Sequence, residues 1–148
     1  MRYQSRKFTC GPATVANVVT LLSHSITEDD ACETSVDGTS ERQIKAGLVK
    51  HGLKFEVHKG RDSLESIQWV DTSINLGSPT ILCVDSWTHW IAVVGKLGGD
   101  YLVIDSADPD LLVKYTPAIL KSLWNYKKRY YGIAVIKPVE VSETWLSQ

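Results

Sequence analysis

The chain has 148 residues, of which 43% are hydrophobic and 22% are charged. This length is typical of one domain with a sizeable core that needs no metal or disulfide staples, so residues 1–148 are expected to form a single domain. Sixteen Lys and Arg residues against seventeen Asp and Glu residues give a net charge of −1. That balance argues against nucleic acid or an acidic membrane surface as a partner. No apolar run reaches the length of a membrane span.

Cysteine usage indicates the compartment. Cys10, Cys32 and Cys83 are an odd number of cysteines without paired spacing, which disfavours a disulfide framework. Residues 1–4 do not begin a signal peptide, and a reducing cytoplasm is therefore the expected location. The cysteines and histidines also lack zinc-site spacing, so no metal is expected.

Hydrophobic periodicity predicts helices first and strands second. In chain order, the predicted elements are a helix that follows Cys10 and runs to Leu22, a short helix at 28–33, a loop at 36–39, a helix at 40–52, a strand at 53–58, a helix at 63–75, strands at 80–84, 87–96 and 101–105, a helix at 116–126 and a strand at 131–137. Helices followed by an antiparallel sheet, rather than alternating βαβ units, predict the α+β class.

Capping and turn residues set several of these boundaries. Pro12 suits the first position of a helix, where its missing N–H is not needed. Thr27 is predicted to cap the short helix, and Ser40 with Gln43 forms a capping box. The segment Leu97–Asp100 is predicted to be a hairpin loop between two strands.

Cys10 is the strongest candidate for chemistry. It lies where a loop becomes a helix that is apolar on nearly every side. The helix dipole favours a thiolate at that position, and the flanking loop keeps the sulfur accessible. The alternative is a small buried hydrophobic residue, which is the usual role of a free cysteine.

A thiolate nucleophile needs a proton acceptor, and the chain has four histidines. His24 and His51 lie at helix ends, and His58 lies on the polar face of a strand predicted to be exposed, so each has an ordinary structural role that we prefer. His89 instead begins an apolar strand, residues 91–94, between two tryptophans. That place suits a general base, and a satisfied core histidine is the alternative.

The histidine in turn needs an acid that orients it. Asp105 ends the next predicted strand, sixteen positions after His89. A two-residue turn at Gly98-Gly99 would instead place Asp108 opposite His89, which makes Asp108 the rival acid. The alternative role of Asp108 is that of a turn carboxylate that caps its own backbone.

Four residues in a fixed order carry a resemblance to a known family. Gln4 lies six positions before Cys10, which opens a Cys-Gly-Pro-Ala helix start, and His89 and Asp105 follow. With these spacings, the chain resembles the C39 family of papain-like cysteine peptidases, the leader-cleaving domains of bacteriocin exporters and their free-standing relatives. The resemblance covers roughly residues 4–110 and includes intermediate landmarks at Gly38-Thr39-Ser40, 47–53 and Pro79.

The resemblance implies a papain-like α+β fold in which the catalytic cysteine begins a buried helix packed on an antiparallel sheet. It implies that Cys10 is the nucleophile, His89 the base and Asp105, rather than Asp108, the orienting acid. Gln4 would be the oxyanion donor alongside the backbone N–H of Cys10. The physics agrees, because a side-chain amide beside a helix N-terminus presents two donors to a developing negative charge.

We therefore expect a bacterial, cytoplasmic cysteine hydrolase that cleaves a peptide or amide bond of a peptide or protein substrate through a thioester. No cofactor is needed for this chemistry. Deamidation or acyl transfer on a partner protein and a catalytically silent peptide-binding module are the alternatives. The chain has no G-x-x-x-x-G-K-[ST] motif of the kind that an exporter's nucleotide-binding domain carries. The sequence specifies neither the substrate nor the oligomeric state of the protein.

Overall fold

The structure, a computed structural model, describes residues 10–34, 38–107 and 110–137. Within these ranges the helices are α1 (Cys10–Leu22), α2 (Glu28–Ala31), α3 (Glu41–Lys50), α4 (Ser63–Asn75) and α5 (Pro117–Trp124). The strands are β1 (Lys54–Gly60), β2 (Thr80–Val84), β3 (His89–Leu97), β4 (Asp100–Ile104), β5 (Leu112–Tyr115) and β6 (Tyr130–Ile136). No helix in the described part of the chain is long and apolar enough to cross a membrane.

The strands form one sheet in the order β1-β6-β2-β3-β4-β5, and every neighbouring pair is antiparallel. The last described strand, β6, lies between β1 and β2 and so joins the two parts of the sheet. This arrangement confirms the predicted α+β class. The sequence did not predict β5, a short strand of alternating exposure at the edge of the sheet.

Helices cover both faces of this sheet. Alternate residues of β2 and β3 belong to different core clusters: Ile81 and Ala92 pack with residues of α1 and α3, whereas Leu82 and Ile91 pack with residues of α4 and α5. All five residues of β2 are consequently buried. The sheet is thus the middle of three layers, and α1 lies on one side against β3.

The helix caps confirm one prediction and correct another. Ser40 and Gln43 form the predicted capping box, with the Gln43 N–H donating to Ser40 Oγ at 3.2 Å and the Ser40 N–H donating to Gln43 Oε1 at 2.8 Å. Thr27 precedes α2 but does not cap it with its side chain, because its hydroxyl donates to the Asp30 carboxylate at 3.2 Å instead. The helix α2 ends at Ala31 rather than at residue 33, because Cys32 has an extended backbone.

A β-bulge in the β3–β4 hairpin decides which side chains share a face. The hairpin begins with Leu97 paired to Asp100, as the predicted two-residue turn requires. The register then shifts by one residue between Val93 and Gly95, and the ladder ends with Ala92 opposite Ile104. Because side chains alternate along a strand, a shift of one residue exchanges the two faces. Ala92 and Ile104, at the end of the ladder, therefore share a face that the register set by the turn would not give them.

Candidate active site

Cys10 is the first residue of α1 and is 6% exposed. The next residue, Gly11, lies directly against the Thr39 side chain, so that a Cβ atom at position 11 would overlap it. Thr14, one turn along the helix, donates its hydroxyl to the Trp90 carbonyl oxygen at 3.1 Å. These contacts fix the N-terminus of α1 against both the segment at Thr39 and the start of β3.

His89 is the first residue of β3 and follows a left-handed turn. Asp85, Ser86 and Trp87 have φ values of 53°, 58° and 65°, in a region that costs a non-glycine residue on the order of 1–3 kcal/mol. The turn is held by the Thr88 N–H, which donates to the Val84 carbonyl oxygen at 3.1 Å. The structure therefore maintains a strained backbone immediately before His89, where strain commonly marks a functional position.

The His89 ring lies between a carboxylate and a thiol. Its Nε2 atom is 2.7 Å from Asp105 Oδ1, and each of these two side chains is 13% exposed. Cys10 is within hydrogen-bonding reach of the same ring. Because Nε2 is engaged by Asp105, Nδ1 is the ring nitrogen left for the Cys10 sulfur. The structure thus brings the Cys10 thiol, the His89 ring and the Asp105 carboxylate close together.

The charges of His89 and Asp105 stabilise one another. Burial by itself lowers the pKa of His89, but the hydrogen bonds and charges of Asp105 and Cys10 outweigh it and raise the pKa to about 10. Burial raises the pKa of Asp105, and the hydrogen bond and charge of His89 reverse this, so that the net shift is downward. The contact between His89 and Asp105 consequently favours the protonated ring and the ionised carboxylate.

Asp105 is itself held by two further donors. The Ala107 N–H donates to Oδ1 at 3.0 Å, and the Tyr115 hydroxyl donates to Oδ2 at 3.3 Å. Tyr115 belongs to β5, the strand that the sequence did not predict, and sequence analysis therefore missed it. The only signal for it in the sequence is the weak alternation of residues 112–115, which gains meaning once β4 supplies a partner strand.

The remaining predicted candidates fall into two groups. Gln4 and Asp108 lie outside the described residues. His24 contacts Ser23 Oγ through Nδ1 at 2.9 Å, and His51 Nε2 is 2.7 Å from the Asp30 carbonyl oxygen. Both histidines therefore have the structural roles that we expected for them.

His58 also has a structural role, although its surroundings differ from the prediction. It contacts Ser66 Oγ at 2.8 Å and stacks on Trp69 with ring centroids 4.5 Å apart. The ring is therefore half-buried rather than exposed, because α4 covers that end of β1. Burial lowers the pKa of His58, in contrast to the raised pKa of His89.

Cys32 and Cys83 are thiols whose ionisation burial opposes. All three cysteines are free. Burial, the largest cause, raises the pKa of both Cys32 and Cys83 to about 12, and the charge of Cys10 adds to each shift. Neither thiol is therefore ionised to any useful extent near neutral pH.

Solved structures with the same fold are peptidase domains. The chain is similar to the peptidase domain of Streptococcus ComA, a bifunctional ABC transporter, with a TM-score of 0.70 and 19% identity over 93% of this chain and 97% of that one. It is similar to a double glycine motif protease from an AMS/PCAT transporter in complex with the leader peptide, with a TM-score of 0.66 and 19% identity over 93% of this chain and 89% of that one. A Bacillus anthracis protein described as C39-like matches with a TM-score of 0.69 and 11% identity over 95% of each chain.

No family model and no curated protein matches the sequence. At identities of 11–19%, the likeness to these structures is one of fold. It confirms the predicted resemblance to C39 peptidase domains and the papain-like α+β architecture.

Limited alkylation tests which of the three thiols is the most reactive. At pH 6 and a limiting dose of iodoacetamide, we expect Cys10 to be labelled first, because only a thiolate reacts and the raised pKa values of Cys32 and Cys83 suppress theirs. Peptide mapping by mass spectrometry measures the order of labelling. His89→Ala should slow the labelling of Cys10, whereas the control His51→Ala should not. Preferential labelling of Cys32 or Cys83 would contradict the assignment.

Proposed function

We propose that this protein is a single-domain cysteine hydrolase that cleaves a peptide or amide bond. The observation that carries the proposal is the hydrogen bond between His89 and Asp105 beside Cys10, which begins a buried helix. A nucleophile, a base and a group that orients the base are the parts that covalent acyl transfer requires. The fold of C39 peptidase domains gives independent support, since it is a peptidase fold.

In the proposed reaction, the Cys10 thiolate attacks the carbonyl carbon of the scissile bond, and the carbonyl π electrons move to the oxygen. The tetrahedral intermediate collapses, the carbon–nitrogen bond breaks, and the imidazolium of His89 gives its proton to the leaving amine. A thioester remains on Cys10. His89 then takes a proton from water, whose oxygen attacks the thioester, and the acid product leaves with Cys10 restored. Asp105 holds the ring in one orientation throughout.

The negative oxygen of the intermediate needs donors. The backbone N–H of Cys10 is one proposed donor, since it belongs to the first turn of α1, where N–H groups have no partner within the helix. Gln4 is the proposed second donor, and this assignment rests on the family resemblance alone. Together they would form the oxyanion hole.

The proposed substrate is a peptide or an extended segment of a protein. One protein of the same fold, the double glycine motif protease, is solved in complex with the leader peptide. The reaction needs a reduced thiol, which agrees with three free cysteines and with the proposed cytoplasmic location.

A peptide library incubated with the protein tests the proposed function. We expect new peptide termini, detected by mass spectrometry, with the wild-type protein and with the control Cys32→Ala but not with Cys10→Ala. A mass change on intact partner proteins, with no new termini, would instead indicate deamidation or acyl transfer. Retention of peptides without any chemical change would indicate a silent binding module, and either result would overturn the hydrolase proposal.

Replacement of the two candidate acids tests the geometry of the proposed triad. Asp105→Ala should lower the turnover of a cleaved peptide by a factor on the order of 10⁴, the loss known for removal of an orienting acid. Asp108→Ala is the matched control and should retain most of the turnover. Initial rates on one peptide measure both. Equal losses, or a larger loss at Asp108, would show that the wrong acid has been assigned.

Gln4→Ala separates an oxyanion donor from a structural residue. If the Gln4 amide donates to the oxyanion, turnover should fall by roughly 10²–10³-fold. The alkylation of Cys10 by iodoacetamide should survive, because this reaction forms no tetrahedral oxyanion. A structural role would lower turnover, alkylation and thermal stability together. Unchanged hydrolysis would refute the assignment of Gln4.

A further inference from the structure

A cavity of about 440 Å³ opens where the two parts of the sheet separate. Strands β2 and β6 pair only from Thr80 opposite Ala134 to Leu82 opposite Gly132. Beyond Leu82, β2 continues in partnership with β3, while the first residues of β6 pair with β1. The cavity lies at this divergence and is closed on one side by the start of α3. Its lining residues are Thr39, Ser40, Glu41, Lys59, Gly60, Arg61, Cys83, Trp87, Trp90, Arg129, Tyr130 and Tyr131.

This cavity adjoins the candidate active site, although Cys10 and His89 do not line it. Trp90 in its wall directly follows His89 and donates its indole N–H to the Thr39 carbonyl oxygen at 2.8 Å. Cys83, also in the wall, is near enough to Cys10 for the charge of Cys10 to raise its pKa. A substrate side chain in the cavity would therefore belong to a residue close to the scissile bond.

Aromatic residues and one carboxylate line the cavity. Four aromatic rings, those of Trp87, Trp90, Tyr130 and Tyr131, line the cavity. Glu41 lies among them. The Tyr131 hydroxyl is the chief cause that lowers the pKa of the Glu41 carboxyl below its ordinary value. Glu41 Oε2 and the Tyr131 oxygen are nevertheless buried without a well-formed hydrogen bond. This carboxylate already has a cation, since Lys45 Nζ is 3.5 Å from Glu41 Oε2.

Three exposed cations surround the same cavity. Lys59 and Arg61 lie at the end of β1, and Arg129 lies just before β6, whose residues Tyr131 and Tyr130 pair with Lys59 and Gly60. Within the residues that the structure describes, no carboxylate lies within 4 Å of any of the three cations. Glu41 is attracted to Lys59 as well as to Lys45. Three cations nevertheless line the cavity against this one carboxylate, so the lining has an excess of positive charge.

We propose that this aromatic–basic cavity binds a glutamate side chain of the substrate, next to the bond that Cys10 cleaves. The proposal rests on the proposed function and names its substrate class. The methylene groups of the glutamate would lie against the aromatic rings, and its carboxylate would accept hydrogen bonds from the guanidinium groups of Arg61 and Arg129. A lysine in the same place would meet three like charges, and a glycine would leave the aromatic walls without contacts.

Peptides that differ at one position test this proposal. The peptides are acetylated and amidated, so that no terminal carboxylate competes for the cavity. They carry Glu, Gln or Lys in turn at each position near a cleaved bond. At one position we expect kcat/KM for Glu to exceed that for Gln by about tenfold, the effect of a charge-assisted contact, and to decline as salt screens the charges. Arg129→Glu and Arg61→Glu should abolish this preference and favour Lys.

The controls Lys54→Gln and Arg42→Gln remove exposed cations that do not line the cavity, and should leave the Glu preference intact. Equal rates for Glu, Gln and Lys at every position, or a preference that the two arginine variants do not change, would overturn the cavity proposal. In either case, continued cleavage would leave the proposed function standing.

Binding to Cys10→Ala separates the two proposals. The quenching of tryptophan fluorescence, to which Trp87 and Trp90 contribute, follows peptide binding without any chemical step. We expect Glu peptides to bind more tightly than Gln peptides, and the double variant Cys10→Ala/Arg129→Glu to lose this difference. Such selective binding would support the cavity proposal even if the wild-type protein cleaved nothing. The absence of cleavage would then overturn only the hydrolase proposal. The absence of both cleavage and selective binding would overturn both proposals.

Discussion

The hydrogen bond between His89 Nε2 and Asp105 Oδ1 is the interaction on which the rest of the site depends. A cationic ring that is mostly removed from water is costly unless a carboxylate compensates it, and the carboxylate needs donors of its own. Ala107 and Tyr115 supply those donors. The edge strand β5, which carries Tyr115, is therefore also part of the site. The hydrogen bond to Asp105 holds the His89 ring beside Cys10.

Much of the fold could be predicted from the sequence because its helices and central strands carry strong local signals. The capping box at Ser40 and the apolar runs of β2 and β3 are examples. The strand β5 has no such signal, since its four residues alternate weakly and are stabilised by pairing with β4. Thr27 shows the same limit at a smaller scale, because its hydroxyl has two possible local partners and the sequence does not say which one it takes.

The candidate site could be predicted only in part. Cys10 was recognisable because a helix N-terminus favours a thiolate, and His89 because it begins an apolar strand between tryptophans. The choice between Asp105 and Asp108 depended on a register that Val93 and Gly95 shift without any marker in the sequence. The resemblance to a family favoured Asp105, which is the acid that the structure brings to His89. The cluster of basic and aromatic residues at 126–131 is visible in the sequence and would be interpreted as a solvated charged turn. The cavity that Arg129, Tyr130 and Tyr131 line depends on the divergence of two strands, which no local pattern predicts.

The order of strands in the sheet determines when the site can form during synthesis. The last residue of the candidate triad, Asp105, leaves the ribosome before β6. The strand that links β1 to β2 is β6, residues 130–136, and it also supplies Tyr130 and Tyr131 to the cavity. Until β6 is inserted, β1 has no partner in the sheet and the cavity has no far wall. We therefore expect the residues of the candidate triad to be synthesised before the cavity can be completed, which requires β6 to join the sheet.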